Sequence, residues 1–343
     1  TILIDSKLQT QTTELSRKSY FLHKASIMLE KGRRMRRIVA SLTMALLLLG
    51  LFVFVLTVQP AKASQGIIYI RADGSIEPST APITTVDNIT YTFTSAINDS
   101  IVIQKDNIVI DGANNTVQGT GAYPSIGIDL SGRSRDTVKN TKIRAFYFGI
   151  YLSYSSDCVV SGDDITNNDY GLCFAHSSNN VATGNNIMKS AVIGLLLALF
   201  SSNNSIIANN IKENLVKGME VNLSYDNKVI GNNVSNNQDG VIQISSNGNA
   251  FYHNNFVNNS VEQVYGWNST DIWDDGYPSG GNYWSDYHGK DLYNGGQQNL
   301  TGSDGIGDTQ HVIIDETGRD NYDHYPLMGP YSSLAPSVSI SPS

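Results

Sequence analysis

Residues 205–224 read SIIANNIKENLVKGMEVNLS. Paired asparagines and small polar residues alternate here with single apolar residues, and no apolar stripe at helical spacing runs through them. The pattern recurs along the chain. A glycine followed by alternating apolar residues opens GIDLSG at Gly127, GIYLSYS at Gly149, GLCFAHS at Gly171, GLLLALF at Gly194, GMEVNLS at Gly218 and GVIQISS at Gly240. Successive glycines lie 22, 22, 23, 24 and 22 residues apart, and a seventh copy, QVYGWN, has Gln263 in place of glycine. A second anchor is the apolar residue that follows a polar pair: Ile143, Ile165, Ile187, Ile211, Val234 and Phe256, spaced 22, 22, 24, 23 and 22. Two independent anchors hold one period, which marks a repeat architecture.

A period near 22 leaves room for about three strands of two to five residues separated by Asn/Gly/Ser turns, and little for a helix. Such units bury their apolar side chains by stacking, each coil about 4.8 Å above the last. The expected fold is all-β: a right-handed, single-stranded parallel β-helix of about seven coils of 22–24 residues, on the order of 35 Å of stack, closed by N- and C-terminal caps. Ile128/Leu130, Ile150/Leu152, Leu172/Phe174, Leu195/Leu197 and Met219/Val221 point inward on this reading. At GVIQI the phase is open. Either Gln243 is an inward, hydrogen-bonded polar residue, or a bulge shifts the phase to Ile242/Ile244. Leu196 and Ala198 point outward, so a cover is expected for them: a terminal segment, a partner or a second copy.

The asparagines also have a reason. An amide carries a donor and an acceptor, so stacked Asn side chains can bond from coil to coil, and Asn accepts the left-handed backbone of tight corners. Asn186, Asn210, Asn233 and Asn255 are the expected structural ladder, interrupted at one end by the repeat-aligned Asp164 and Lys142.

The flanks differ from the coils. Residues 1–34, which begin without Met, read as an upstream extension or artefact. Residues 35–63 read as a signal peptide: the basic run KGRRMRR leads into the apolar run 38–58 and then QPAKAS, with cleavage after Ala63. An uncleaved N-terminal anchor is the competing reading, because the apolar run is about as long as the ~20 residues that span a bilayer. Residues 64–107 read as an N-terminal cap, 108–265 as coils, 266–330 as an aromatic, Asp- and Gly-rich C-terminal cap, and 331–343 as a Ser/Pro tail. The first 63 residues hold ten of the 23 basic and three of the 31 acidic side chains, so the remainder carries a formal charge of −15. That surface repels nucleic acid and anionic lipid; membrane contact is expected only through an uncleaved N-terminus. Cys158 and Cys173 could pair outside the cytoplasm, but spacing alone does not bring them together.

Candidate chemistry is sparse. Asp163 and Asp164 are the nearest approach to a catalytic carboxylate pair, but they stand where other repeats have GNN or ANN turns. Arg144, Lys189, Lys212 and Lys217 do not share one repeat register with acids, as a lyase site would need. Trp267, Trp273, Tyr283, Trp284 and Tyr287 interleave with acids in the C-terminal segment. They suit either closure of the core or contact with sugar rings. Asp304 and Asp308 in GSDGIGDT are the candidate calcium ligands, although the EF-hand pattern is not met. Sequons stand at Asn88, Asn98, Asn114, Asn203, Asn222, Asn233, Asn258, Asn268 and Asn299.

The lead-in IYIRADGSIEPSTAPI, the opening IVIDGANNTVQG, the SSNN-x-x-x-x-NNI repeats and the ending GYPSGGNYWSDYHGKDLY…GSDGIGDTQHVIID…DNYDHYPLM resemble archaeal NosD-like proteins. These are secreted right-handed parallel β-helix proteins, grouped with carbohydrate-binding proteins and sugar hydrolases. The resemblance implies the fold and an extracytoplasmic location, secreted or at the cell surface. For function, the leader, the coils, the acidic surface and the missing catalytic sets favour a non-catalytic binder of glycan or component of the cell envelope. The enzyme alternative is a polysaccharide lyase or glycoside hydrolase. The namesake branch of the resembled family implies a third reading, a periplasmic accessory in copper-site maturation. Copper is implied by the resemblance alone, since His176, His253, His288, His311 and His324 are scattered without paired spacing.

Overall fold

The computed structural model describes residues 66–319 and 321–332. The basic run, the apolar leader and the tail from residue 333 lie outside the described residues. The described residues form an all-β parallel solenoid of about eight turns, one more than the repeat count suggests, and contain no helix.

Each coil lays down three strands. In the opening stretch these are Ser205–Ile207, Asn210–Lys212 and Lys217–Asn222. Their equivalents stack into a ten-stranded sheet B, an eight-stranded sheet C and an eleven-stranded sheet A, respectively. The in-register pairs Ile143↔Ile165, Ile165↔Ile187, Ile187↔Ile211, Ile211↔Val234 and Val234↔Phe256 make one interior column of sheet C. All six side chains are fully buried, each contributing about 1.5–3 kcal/mol of apolar burial.

The repeated glycine marks a close approach between coils. A Cβ on Gly127, Gly149, Gly171, Gly194 or Gly218 would sit 2.5–2.7 Å from the carbonyl oxygen of the next glycine in the column. At Gln263 the stack above is reduced to the two-residue strand Ile314–Asp315, which pairs with Tyr265 and Gly266. A side chain fits there, and it bonds Asn259 and Ser285.

Val241 pairs with Met219 and Val264, and Gln243 with Val221 and Gly266, in unbroken register. The bulge is therefore not used. Gln243 is buried and donates to Asp271 Oδ2 at 2.6 Å. Leu196 and Ala198 are buried, flanked in sheet A by Cys173 and Ala175 on one side and by Glu220 and Asn222 on the other. The terminal segment suggested as their cover lies outside the described residues. Cys158 and Cys173 are both free and buried, one in a corner before sheet B and the other in a strand of sheet A.

The strand Ile76–Glu77 pairs antiparallel with Ile67–Ile70 at the start of sheet A, and Ile83–Thr84 does the same for Thr90–Phe93 in sheet B. At the other end two short antiparallel pairs, Tyr293–Asn294 with Leu300–Thr301 and His311–Val312 with Tyr322–Asp323, belong to the aromatic segment that closes the stack.

Candidate functional site

Polar side chains inside the corners decide which carboxylates are free for chemistry. Between sheets B and C runs a column of Asp163, Asn185, Asn209, Asn232, Asn254 and Asn282, all buried. In each coil the backbone N–H donates to the side-chain oxygen of the next: Asp163 to Asn185, Asn185 to Asn209, Asn209 to Asn232, Asn232 to Asn254 and Asn254 to Asn282, at 2.8–3.0 Å. From Asn185 onward the side-chain Nδ2 donates to the same oxygen at 3.0 Å. A second column before sheet B runs Asn180, Asn204, Asn227, Asn249 and ends on Asp271. A third, between sheets C and A, runs Asn214, Asn237, Asn259. Serines 155, 177, 201, 224, 246 and 269 form a fourth, ending on Asp315.

Asp163 is thus the ladder residue of its coil. Its Oδ1 accepts the Thr141 amide at 2.8 Å, and burial pushes its carboxyl up to about 7. Asp164 points the other way, and the two do not converge on a common point. Its Oδ1 accepts Asn186 Nδ2 at 2.8 Å. Asp164 therefore extends the outer ladder rather than interrupting it: Asn210 donates to Asn186 and Asn233 to Asn210, each at 2.9 Å. Asn255 instead bonds the Tyr331 backbone in both directions. The buried column between sheets B and C uses the first asparagine of each Asn-Asn pair, whereas the columns before sheet B and between sheets C and A use the second, as at Asn180, Asn204, Asn237 and Asn259.

Acids also terminate the columns. Asp271 accepts Asn249 and Gln243; Asp323 accepts the Asn282 amide at 2.7 Å, the Trp284 indole at 2.8 Å and the Tyr325 amide at 3.1 Å. Burial pushes both carboxyls up to about 7 while these donors pull the other way.

The aromatic segment divides by direction. Trp273 stacks on Phe251 at 4.5 Å and Trp284 on Phe256 at 4.6 Å, so the two indoles cover the ends of the sheet B and sheet C columns. Both are buried. Tyr287 packs partly buried against the core with its hydroxyl donating to the Thr309 carbonyl. Tyr283 extends the sheet C ladder over Asn255, and Trp267 pairs with Ile244 in sheet A. The residues that face outward are others. Tyr277 is 39% exposed, its ring 6.2 Å from that of Tyr325. Exposed His324 beside it bonds Asp274 through Nδ1 at 2.9 Å, and Ser279 donates to Asp275 at 2.7 Å. The sequence signal for this group was the same aromatic–acid interleaving, without any mark of which rings turn outward.

Asp308 accepts the amides of Leu292 and Tyr293, and Asp304 those of Ile306 and the Gln298 side chain. The loop's carboxylates serve as turn acceptors. Among the described residues no group of three or more His, Cys, Asp or Glu is placed to hold a metal. His253 stacks on Tyr331 at 4.2 Å with Nε2 2.9 Å from the Ser279 carbonyl, His311 stacks on Trp284 at 4.3 Å, and His176 stacks on Tyr154 at 4.6 Å. These imidazoles do not make a copper donor set.

A polar cluster lies on the outward face of sheet A. Lys217 and Glu220 form an ion pair, and Asn222 donates to the other Glu220 oxygen at 3.1 Å. All three are buried; in register Lys217 lies between Ile193 and Asp239, Glu220 between Leu196 and Ile242, and Asn222 between Ala198 and Ile244. Lysine and acid do share a strand here: the Lys217 ammonium reaches the Glu220 carboxylate along it, and Asp239 stands in register with Lys217. Paired and buried, Lys217 and Glu220 offer no free base. Lys189 and Lys212 both lie near Glu213, at 3.8 and 3.9 Å.

A family model described as periplasmic copper-binding protein (NosD) matches residues 83–289. The chain belongs to the NosD family. The family's description as periplasmic implies an extracytoplasmic setting. No curated protein matches. Among solved structures, one of the periplasmic alginate epimerase AlgG is 15% identical, over 70% of this chain and 76% of that one, with a TM-score of 0.47. A second AlgG structure is 20% identical over 49% of this chain, which spans 38% of that chain's length, with a TM-score of 0.43. Pectate lyase Pel9A is 12% identical over 62% of each chain, with a TM-score of 0.37. These are likenesses of this NosD-family chain to distant β-helix proteins. The copper in the family's description finds no donor set among the described residues, and no chemical step is derived through it.

Proposed function

We propose that this NosD-family protein is an extracytoplasmic, secreted or surface-held binding scaffold without catalysis of its own, and that it recognises neutral or cationic glycan through its C-terminal cap. The observation that carries the reading is the division of the cap: Trp273 and Trp284 stack inward on Phe251 and Phe256, while Tyr277 is exposed, its ring 6.2 Å from that of half-buried Tyr325, in a segment that also holds Asp274, Asp275 and exposed His324. Aromatic faces stack on the CH faces of sugars, and the adjacent acceptors take hydroxyl donors. The buried acids support the same reading, since Asp163, Asp271 and Asp323 are bound into the corner columns and Glu220 is paired with Lys217.

The test is a glycan array probed with the full chain and with Tyr277→Ala. The expected result is retention of a glycan class by the native chain and a loss of about tenfold in affinity, roughly 1.4 kcal/mol, in the variant. Absence of any bound glycan, or equal binding by the variant, overturns the reading. Release of reducing ends or unsaturated products would overturn its non-catalytic part.

A further inference from the structure

Two corner columns begin on an aspartate. Asp163 precedes Asn185 between sheets B and C. Asp136 stands one repeat before Cys158, whose amide donates to Asn180 at the foot of the second column. Both carboxyls are buried, at 2% and 0% exposure. In each, Oδ1 accepts an amide from the preceding coil: Thr141 at 2.8 Å and Ile108 at 3.0 Å. In each, Oδ2 is buried and has no hydrogen-bond partner among the described residues.

The asparagines above show what that second atom does elsewhere. With Oδ1 accepting from the coil below, Nδ2 donates to an interior carbonyl: Asn185 to Val160 and Asn209 to Ala182 at 2.9 Å, Asn232 to Ile206 at 2.8 Å. The homologous carbonyl for Asp163 is that of Val138. A carboxylate oxygen there would set acceptor against acceptor in a dry corner; a carboxylic acid O–H supplies the missing donor. We propose that Asp163 and Asp136 are held as neutral carboxylic acids in the folded chain, the Asp163 proton replacing an asparagine N–H in the column, so that protonation tightens the N-terminal coils.

The surrounding charges agree. Asp163 faces Asp111 from two coils back, itself paired at 3.4 Å with Lys139 of the intervening coil, and neutral Asn185 from the next. Asp136 faces Asp106, paired with Arg133 at 3.3 Å, and the Cys158 thiol. Burial outweighs the amide donors and pushes both carboxyls up to about 7. The folded state then binds a proton more tightly than the unfolded chain, whose aspartates titrate near 3.8. The stabilisation is complete below that value and is lost as pH rises to about 7.

The test compares urea unfolding of the full chain with that of Asp163→Asn and of Asp136→Asn across pH. Groups common to both chains cancel in the ratio. The folding equilibrium constant of the native chain relative to each variant should fall about tenfold per pH unit between about 4 and 7 and stay level above. A ratio that is flat or rises with pH overturns the proposal. So does an Asn variant that fails to fold, because asparagine restores the donor that the proposal assigns to the acid.

Discussion

The two asparagines of the pair Asn209-Asn210 are neighbours in sequence and should differ several-fold in what they contribute. Asn209 Oδ1 accepts both the amide and the side chain of Asn185 at 3.0 Å, and its Nδ2 donates to Ala182 and to Asn232 at 2.9 and 3.0 Å. Asn209→Ala removes four hydrogen bonds in a corner only 1% exposed. At about 1 kcal/mol each, with part of the ~1–3 kcal/mol cost of each orphaned buried group added, the loss is about 4–6 kcal/mol. Asn210→Ala removes two bonds, to Asn186 and from Asn233, on a half-buried side chain whose partners can turn to water. Its loss is about 0.5–1.5 kcal/mol. Urea unfolding of both variants at one pH, followed by circular dichroism, measures the difference. Equal losses, or a larger one for Asn210→Ala, would refute the reasoning that corner burial and not the asparagine ladder as such carries the energy.

The packing of the cap, the glycine column and the buried thiols sets three further outcomes. Trp284→Ala leaves a cavity beside Phe256 and strips a donor from Asp323, so a loss of about 3–5 kcal/mol is expected in denaturant unfolding, against a much smaller loss for half-buried Trp267→Ala. Gly218→Ala forces a Cβ to 2.7 Å from the Gly240 carbonyl and should lower the melting temperature by several degrees; an unchanged melt would contradict the close-approach account of the glycine column. Cys158 is buried with its thiol pushed up to about 11, and Cys173 is buried with its thiol raised further, so neither should react with a thiol reagent at pH 8 until the chain unfolds.

Much of the solenoid was legible because its geometry forces a sequence period. The glycine at 218 recurs because a carbonyl of the next coil leaves no room for a Cβ, and the residue at 211 recurs because one interior column must stay apolar. Gln243 was legible only as a choice between two phases, since nothing in GVIQI says that Asp271 waits 28 residues later to accept its amide. The expected ladder forms from Asn186 through Asn210 to Asn233, and Asn255 alone leaves it for the Tyr331 backbone, but the sequence did not show that a second, fully buried column runs through the residue before each. In Asn-Asn both residues satisfy the same composition argument, and only the backbone decides that Asn185 turns inward and Asn186 lies along the strand. The same ambiguity made Asp163 look like a surface turn acid, when it occupies the asparagine place in a dry corner. In the cap, the tryptophans were legible as closure because large apolar rings suit the open end of a core. The outward turn of Tyr277 depends on cap loops that share no repeat, so no register could reveal it.

The central claim is that like residues lie over like in buried corner columns, and side-chain amide exchange tests it most directly. In uniformly nitrogen-labelled full-length protein, the Nδ2 hydrogens of Asn185, Asn209 and Asn232 should exchange only with opening of the coils, orders of magnitude more slowly than those of Asn186, Asn210 and Asn233. Fast exchange at the first three, or the same rate across each pair, would contradict the stacked columns and with them the scaffold role given to Asp163.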